Sequence, residues 1–237
     1  LLHGPTGIGK THLLEAIWSA AKRGNPNCRV VYLTAEQFTT MFVEAVRGSG
    51  LPNFRRKVRG ADLLLLDDVQ FFAGKRATLV ELLYTLDTVL AEGRRVVLAA
   101  DRAPAELTGL GPELITRLSG GMMCRIEPPE YETRLDITRR IASKLNLDAP
   151  EEVLSLVARR VTATAREISG ALYRLQAVSH VSGEPLTRQL ADHALADLFA
   201  DHGTTIRLSD IDSAVCSAFG LEPDALTSGS RTKHNSH

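Results

Sequence analysis

Four apolar runs, separated by amphipathic stretches, organise the first half of the chain. They are RVVYLTA at 29–35, ADLLLLDDVQ at 61–70, RRVVLAAD at 94–101 and MMCRIEPP at 122–129. Continuous apolar runs that alternate with helical stretches are typical of parallel strands covered on both faces. A short run of leucines is equally compatible with a helix. We predict an α/β fold with helices near 36–46, 79–92 and 113–118.

The pattern changes at Pro128 and Pro129. Proline can neither donate a hydrogen bond to a strand ladder nor continue a helix. Beyond this pair the apolar positions recur at helical spacing, as in Ile137, Ile141 and Leu145. We therefore predict a parallel-sheet αβα core at 1–127, a helical unit at 128–201, and a last segment at 202–237 with a linker and a helix at 209–219.

Composition narrows the class of protein. The chain has 237 residues, of which 44% are hydrophobic, enough for one sizeable core and a smaller unit. The formal net charge is zero, so total charge favours no polyanionic partner. The cysteines, Cys28, Cys124 and Cys216, lack metal-ligand spacing and are typical of a reducing cytoplasm. No apolar run could span a bilayer. We predict a cytoplasmic protein. We also expect a fragment, because the chain starts without Met and only two residues precede His3, where a full strand should lead into the next motif.

A glycine-rich loop opens the chain. In HGPTGIGKTHLLEAIW at 3–18, Gly4 and the Gly9-Lys10-Thr11 triplet match the spacing G-x-x-x-x-G-K-[ST]. Glycines let backbone N–H groups converge on phosphate oxygens, Lys10 adds charge at the β- and γ-phosphates, and the Thr11 hydroxyl can ligate Mg²⁺. The following helix adds a favourable dipole. The loop therefore predicts a nucleoside triphosphate site formed by Gly4, Thr6, Gly7, Ile8, Gly9, Lys10, Thr11 and His12; a glycine-rich turn that binds nothing is the less favoured alternative.

Two acids and an arginine are candidates for the chemistry at those phosphates. Asp67 and Asp68 end the leucine run, where Asp67 would lie beside Mg²⁺ and Asp68 would orient or activate the attacking water. The alternative is a pair of surface acids. Arg166 lies in the first turn of a predicted helix, where a cation opposes the helix dipole. An anionic γ-phosphate would offset that penalty, and an ion pair with Glu167 would do so equally well.

Several motifs occur together and in order: GKTHLLEAI, LLLLDDVQFFAGK, VVLAADRAP, IEPPEYETR and AREISGALYRL. With them the sequence resembles the DnaA family of bacterial replication initiators, within the AAA+ ATPases, over nearly its whole length. The resemblance implies an AAA+ P-loop core, a helical lid, and a connector helix into a helix-turn-helix domain that binds duplex origin DNA. It also implies ATP and ADP as ligands, with Mg²⁺.

The resemblance also assigns roles to residues. Asp101 matches the first sensor, Arg166 the second, and Arg117 the arginine finger that reaches the ATP of a neighbouring subunit; by itself Arg117 could be any surface arginine. The segment 36–59 matches an insertion that steers ATP-bound subunits into a helical filament. The positions that contact single-stranded DNA are Val43, Lys75 and Thr78. Departures from the family pattern are Ala77 for a common Arg, Leu118 for Phe and Ser169 for Glu.

The implied function is an ATP-driven initiator that assembles on origin DNA, helps to open the duplex, and is reset by slow ATP hydrolysis. The replicative helicase and regulators would be further partners. Two alternatives stay open: a DnaA-like regulator or helicase-loading adaptor, and an ordinary P-loop enzyme such as a small-molecule kinase. The basic stretch FRRKVR at 54–59 could bind DNA, but a solvated helix face is favoured.

Overall fold

A parallel β-sheet forms the centre of the first half of the molecule. The computed structural model describes residues 1–201, so the predicted linker and connector helix lie outside the described residues. The strands are β1 Leu2–His3, β2 Val30–Thr34, β3 Leu63–Asp67, β4 Arg95–Ala100 and β5 Cys124–Arg125. Their order is β2-β3-β4-β1-β5, with every neighbouring pair parallel. The predicted parallel sheet is confirmed, although the run at 122–129 contributes only β5.

Helices flank the strands in the predicted alternation. They are α1 Lys10–Gly24, α2 Ala35–Arg47, α3 Leu51–Arg59, α4 Arg76–Ala91 and α5 Pro112–Ser119. A 3₁₀ turn, Val69–Phe72, follows β3, and a second, Pro104–Glu106, follows β4. The predicted helices near 36–46, 79–92 and 113–118 are therefore confirmed. Helix α4 starts at Arg76, three residues before its predicted start.

The leucine run of β3 is buried on both faces of the sheet. Leu63 and Leu65 pack with Leu14 of α1, whereas Leu64 and Leu66 pack among side chains of α2 to α5. Because successive side chains of a strand point to opposite faces, a strand covered on both sides needs an apolar residue at every position. This explains why the run is continuous rather than alternating.

The insertion between β2 and β3 is fixed firmly to the core. The Thr34 hydroxyl accepts a hydrogen bond from the Gln37 amide at 3.1 Å, and the Gln37 side chain accepts one from the Thr34 amide at 3.0 Å. This reciprocal cap sets the start of α2. One turn later, the buried Phe38 ring meets Phe54 of α3 edge-on at 5.2 Å and Phe72 at 5.5 Å.

Part of the basic stretch at 54–59 differs from the prediction. Arg56 and Lys57 are exposed, as a solvated helix face requires. Arg55 and Arg59, however, each contact the buried carboxylate of Glu81 on α4 at 2.7 Å. Burial by itself would raise the pKa of Glu81, but the hydrogen bonds from both arginines outweigh it and hold that pKa below its usual value. These two arginines therefore attach α3 to α4.

The second half is helical, as predicted. Its helices are α6 Tyr131–Lys144, α7 Glu151–Arg160, α8 Ala165–Ser182, α9 Arg188–Ala194 and α10 Ala196–Asp201. They enclose a hydrophobic cluster separate from the clusters that flank the sheet, centred on buried Val157, Ile168 and Leu172. Among the described helices, none has the length and hydropathy needed to cross a membrane. Cys28 and Cys124 are free, partly buried thiols.

Candidate nucleotide-binding site

The glycine-rich loop connects β1 to α1 with a backbone that only glycine readily adopts. Gly4, Gly7 and Gly9 have φ values of 151°, 83° and 102°. A Cβ atom on Gly4 would lie 2.4 Å from the carbonyl oxygen of Ile126, so no larger residue fits there. Gly9 caps α1 without a side-chain hydrogen bond. The first-turn amides of α1 therefore remain oriented toward an anion in front of the loop.

Lys10 is buried behind this loop. Its ammonium group donates hydrogen bonds to the carbonyl oxygens of Gly4 at 2.7 Å and Pro5 at 2.8 Å. Burial lowers the pKa of Lys10, and the carboxylates of Asp68 and Asp67 oppose that shift. A partly desolvated cation at the N-terminus of a helix is suited to binding an anion, because phosphate oxygens would replace the solvation that the ammonium group has lost.

Asp67, at the end of β3, is buried and fully hydrogen-bonded. One carboxylate oxygen accepts from the Thr11 hydroxyl at 2.7 Å and the Tyr32 hydroxyl at 3.2 Å, and the other accepts from the Asp68 amide at 2.9 Å. Burial, together with the charge of Asp67, raises the pKa of Tyr32 to about 12. Tyr32 therefore stays a neutral donor at physiological pH.

The Thr11 and Asp67 oxygens fit a magnesium ion that also binds phosphate. The described residues contain no cluster of three or more His, Cys, Asp or Glu that could enclose a metal by themselves. Mg²⁺ commonly takes one or two protein oxygens and completes its shell with phosphate and water. The adjacent Thr11 hydroxyl and Asp67 carboxylate provide that small donor set beside the loop.

Asp68 and Asp101 lie at the ends of neighbouring strands. Asp68 adopts a left-handed backbone, with φ 56° and ψ 46°, and is among the residues that line the cavity in front of the loop. Asp101 is different: its carboxylate is bound by Arg102 at 2.7 Å and does not line the cavity. The hydrogen bonds from Arg102 lower the pKa of Asp101, against the effect of its own partial burial.

The helical second half, α6 to α10, is called the lid below, and it contacts the glycine-rich loop directly. The Ala165 amide, in the first turn of α8, donates to the Gly7 carbonyl oxygen at 3.1 Å. The preceding residue, Thr164, accepts from the Glu167 amide at 3.2 Å and so caps α8. A Cβ atom on Gly7 would lie 2.9 Å from the Thr164 side chain. This close approach places Arg166 within the cavity.

The cavity between the loop and the lid has a volume of about 780 Å³, within the usual range for ligand sites. The sequence-predicted residues that line it are Thr6, Gly7, Ile8, Gly9, Lys10, Thr11, His12, Asp68 and Arg166. Gly4, Asp67 and Asp101 do not line it; Gly4 and Asp67 support the loop and Thr11 from behind.

The other residues that line the cavity belong to the lid and were not predicted from the sequence. They come from α6 and α8, namely Ile137, Arg139, Arg140, Ile141, Ser143, Lys144, Ala165 and Ser169. The helical spacing of Ile137 and Ile141 was a usable signal, but periodicity identifies an apolar face without saying what that face contacts.

The other predicted residues lie outside the cavity. Arg117, on α5, has a side chain that is 53% exposed and pairs with Asp87 of α4 at 2.8 Å. Val43 on α2 and Lys75, which precedes α4, are half-buried. Thr78 is only 3% exposed. The predicted contact of the Thr78 side chain with DNA is therefore not available in this conformation, because the protein itself covers that side chain.

Comparison with known proteins agrees with this architecture. The family model described as the bacterial DnaA ATPase domain matches residues 1–125. The chromosomal replication initiator protein DnaA of Acinetobacter baumannii is 38% identical over 232 residues, which cover 98% of this chain and 50% of that protein. The chain thus spans about half the length of this relative.

Solved structures show the same likeness. Domain III of the replication initiation protein DnaA from Thermotoga maritima superimposes with a TM-score of 0.78 and 34% identity, covering 84% of this chain and 83% of that one. A replication initiator DnaA bound to AMPPCP and single-stranded DNA gives a TM-score of 0.68 and 28% identity, covering 97% of this chain and 66% of that one. The chain belongs to the bacterial DnaA ATPase domain family, with the parallel-sheet core and helical lid of AAA+ proteins.

Proposed function

We propose that this chain is the ATP-binding part of an initiator of chromosomal DNA replication. In this proposal ATP drives self-assembly on origin DNA, the assembly helps to open the duplex, and hydrolysis resets it. The main support for the proposal is that Arg166 and Arg117 occupy different positions relative to the cavity. Arg166 lines the cavity between the loop and the lid, whereas Arg117 is exposed outside that cavity, so in this proposal Arg117 is available to the nucleotide of another subunit. The named relatives support the same function.

Within one subunit, the loop amides and Lys10 would bind the β- and γ-phosphates, and Arg166 would contact the γ-phosphate. Asp68 would accept a hydrogen bond from a water molecule and orient its oxygen toward the γ-phosphorus. A bond between that oxygen and the γ-phosphorus would form as the bond from the γ-phosphorus to the β–γ bridging oxygen breaks. The products would be ADP and inorganic phosphate, with the proton of the water passing to the phosphate or to solvent. Mg²⁺, held by Thr11 and Asp67, would neutralise charge on the phosphates.

Arg117 would act on the ATP of a neighbouring subunit. Its ion pair with Asp87 joins two partly exposed side chains, and such surface pairs contribute about 0–1 kcal/mol. Exchanging that pair for a contact with a γ-phosphate therefore costs little. Loss of the γ-phosphate would remove contacts to both Arg117 and Arg166, so ADP would favour the separated state. In this scheme ATP is mainly a signal, and turnover is slow.

Single-stranded DNA would bind beside the insertion. Lys75 precedes α4, whose first turn contains no acidic residue and whose first amides have no intrahelical acceptor. Lys75 and those amides would hold a backbone phosphate, and Val43 on α2 would offer an apolar contact to the nucleotides. The buried Thr78 would support this helix end by packing. Duplex origin DNA, the replicative helicase and regulators would bind elsewhere on a cytoplasmic, nucleoid-associated protein.

The test is sedimentation velocity of the protein with ATP or ADP. Wild type is expected to form large assemblies with ATP only. Arg117→Ala should remain small in ATP while its ATP affinity stays within about threefold, because Arg117 does not line its own cavity. Arg174→Ala is the matched control, because Arg174 is also an exposed, ion-paired arginine; it should assemble like wild type. Assembly of Arg117→Ala equal to that of wild type would refute the proposal.

A further inference from the structure

Gln70 joins the two strand ends that carry the candidate chemistry. We propose that it is a positioning residue for ATP hydrolysis, one that fixes the Asp68 carboxylate against the end of β4. This role rests on the proposed ATPase function, and it concerns a residue outside the phosphate loop, the acidic pair, the sensors and the arginine finger. Gln70 does not line the cavity, so it would act through Asp68.

Two hydrogen bonds define the bridge. The Gln70 amide nitrogen donates to a carboxylate oxygen of Asp68 at 2.9 Å. Its amide oxygen accepts from the backbone N–H of Asp101 at 3.3 Å. Gln70 itself lies in the 3₁₀ turn after β3, and β3 and β4 are paired neighbours in the sheet. A single side chain therefore connects the loop after β3 to the loop after β4.

The Asp68 carboxylate and the Asp101 backbone N–H together require a side chain with both a donor and an acceptor, as an amide has. An ionised carboxylate only accepts hydrogen bonds, and a backbone N–H only donates. Glutamine offers a donor and an acceptor at the ends of one planar group, whereas glutamate offers no donor when ionised and methionine offers neither strong group. The opposite orientation of the Gln70 amide would set its oxygen against the Asp68 carboxylate, so the partners also fix which way the amide points.

Asp68 has a reason to need such a restraint. Its left-handed backbone is uncommon for a residue with a side chain, and its amide is already committed to the Asp67 carboxylate. Asp68 directly follows β3 and is among the residues that line the cavity in front of the phosphate loop. Orientation of an attacking water depends on the position of the Asp68 carboxylate, and a displacement of about 1 Å can cost on the order of 100-fold in rate.

Loss of the Gln70 bridge should affect ATP hydrolysis but not ATP binding. Phosphate binding depends on the loop amides, Lys10 and Arg166, none of which contacts Gln70. Substitution of Gln70 should therefore lower the single-turnover rate of ATP hydrolysis by about 10- to 100-fold. The Kd for ATP should stay within about threefold of the wild-type value.

Two substitutions separate hydrogen bonding from packing. Gln70→Glu keeps the shape of the side chain but sets a second carboxylate against Asp68, so it should lower hydrolysis at least as much as Gln70→Met. A role in packing alone predicts the reverse order, with the isosteric Gln70→Glu close to wild type. The matched control is Gln176→Met, in the lid, where the amide makes one hydrogen bond to the Leu145 carbonyl oxygen; its hydrolysis rate should be unchanged.

The experiment measures single-turnover ATP hydrolysis, ATP affinity and thermal unfolding of the full-length protein for each variant. Slow hydrolysis in both Gln70 variants, with intact binding and unfolding midpoints near wild type, would establish the positioning role. Hydrolysis at the wild-type rate in Gln70→Glu, or a parallel loss of ATP affinity, would overturn it. Wild-type protein that binds ATP without hydrolysing it would instead refute the proposed ATPase function, so the two failures are distinguishable.

Discussion

Replacement of Glu81 by alanine should destabilise the sheet-containing half of the molecule by about 2–3 kcal/mol. The side chain of Glu81 is 4% exposed, and its carboxylate accepts hydrogen bonds from Arg55 and Arg59. Removing one partner of a fully buried ion pair costs about 3–5 kcal/mol, because the remaining charge is left without compensation. Here Arg55 is 42% exposed and Arg59 is 24% exposed, so water would partly solvate both after the substitution. The expected cost is therefore reduced from that range to about 2–3 kcal/mol.

This effect can be measured by urea denaturation, with unfolding monitored through the fluorescence of Trp18. Trp18 is the single tryptophan of the chain and lies on α1, in the same half as Glu81. For a typical dependence on urea, about 2–3 kcal/mol lowers the midpoint by roughly 1–2 M. The control is Glu92→Ala, because Glu92 pairs with Arg94 at the same 2.7 Å but is 47% exposed. It should cost less than about 1 kcal/mol.

The effect should also depend on pH with a definite sign. Because the pKa of Glu81 is lowered in the folded state, its contribution is fully present above the usual pKa of 4.5. That contribution is lost as the pH falls through the folded-state pKa, so the difference between wild type and Glu81→Ala should shrink in acid. At neutral pH, a destabilisation no larger than that of Glu92→Ala would show that burial does not make this network strong.

Two further predictions concern the loop and DNA. Gly4→Ala should lower the affinity for ATP at least about tenfold and destabilise the fold by about 2 kcal/mol, because its Cβ would lie 2.4 Å from the Ile126 carbonyl oxygen. Calorimetry can measure both effects. The control is Gly24→Ala, whose Cβ would meet no atom within 4 Å and which should behave like wild type. Lys75→Ala should weaken ATP-dependent binding of an oligothymidine strand and reduce the salt dependence by about 0.7 in log–log slope. An equal loss in Lys57→Ala, on the exposed face of α3, would instead favour the basic stretch as the DNA site.

The phosphate loop could be predicted almost completely, because its conformation depends on residues that are consecutive in the chain. The motif glycines Gly4 and Gly9 both adopt positive φ, as does Gly7 between them, and Lys10 and Thr11 follow at the helix start. The backbone freedom of glycine and the N-terminus of a helix act over a few residues. A short motif of this kind therefore carries its own geometry.

The predictions were weaker where two distant segments meet. The solvated face expected at 54–59 held for Arg56 but not for Arg59, because the buried acid that binds Arg59 lies on another helix. Thr78 resembles a DNA-contacting position, yet its side chain is covered. Burial of a single side chain depends on how helices pack together, and periodicity within one helix does not determine that packing.

The parallel sheet, the phosphate loop and the acids at the end of β3 could all be predicted from the order of the residues alone. Each follows from a local rule: apolar runs for buried strands, glycine spacing for the loop, and the polar end of a strand for Asp67 and Asp68. Packing between distant segments was needed to show that Gln70 joins Asp68 to Asp101 and that α6 lines the cavity. It also decided between the two alternatives that the sequence had left open for Arg166, which lines the cavity. The reason is that periodicity tells which side of an element is buried, whereas the partner of that side is chosen by long-range packing.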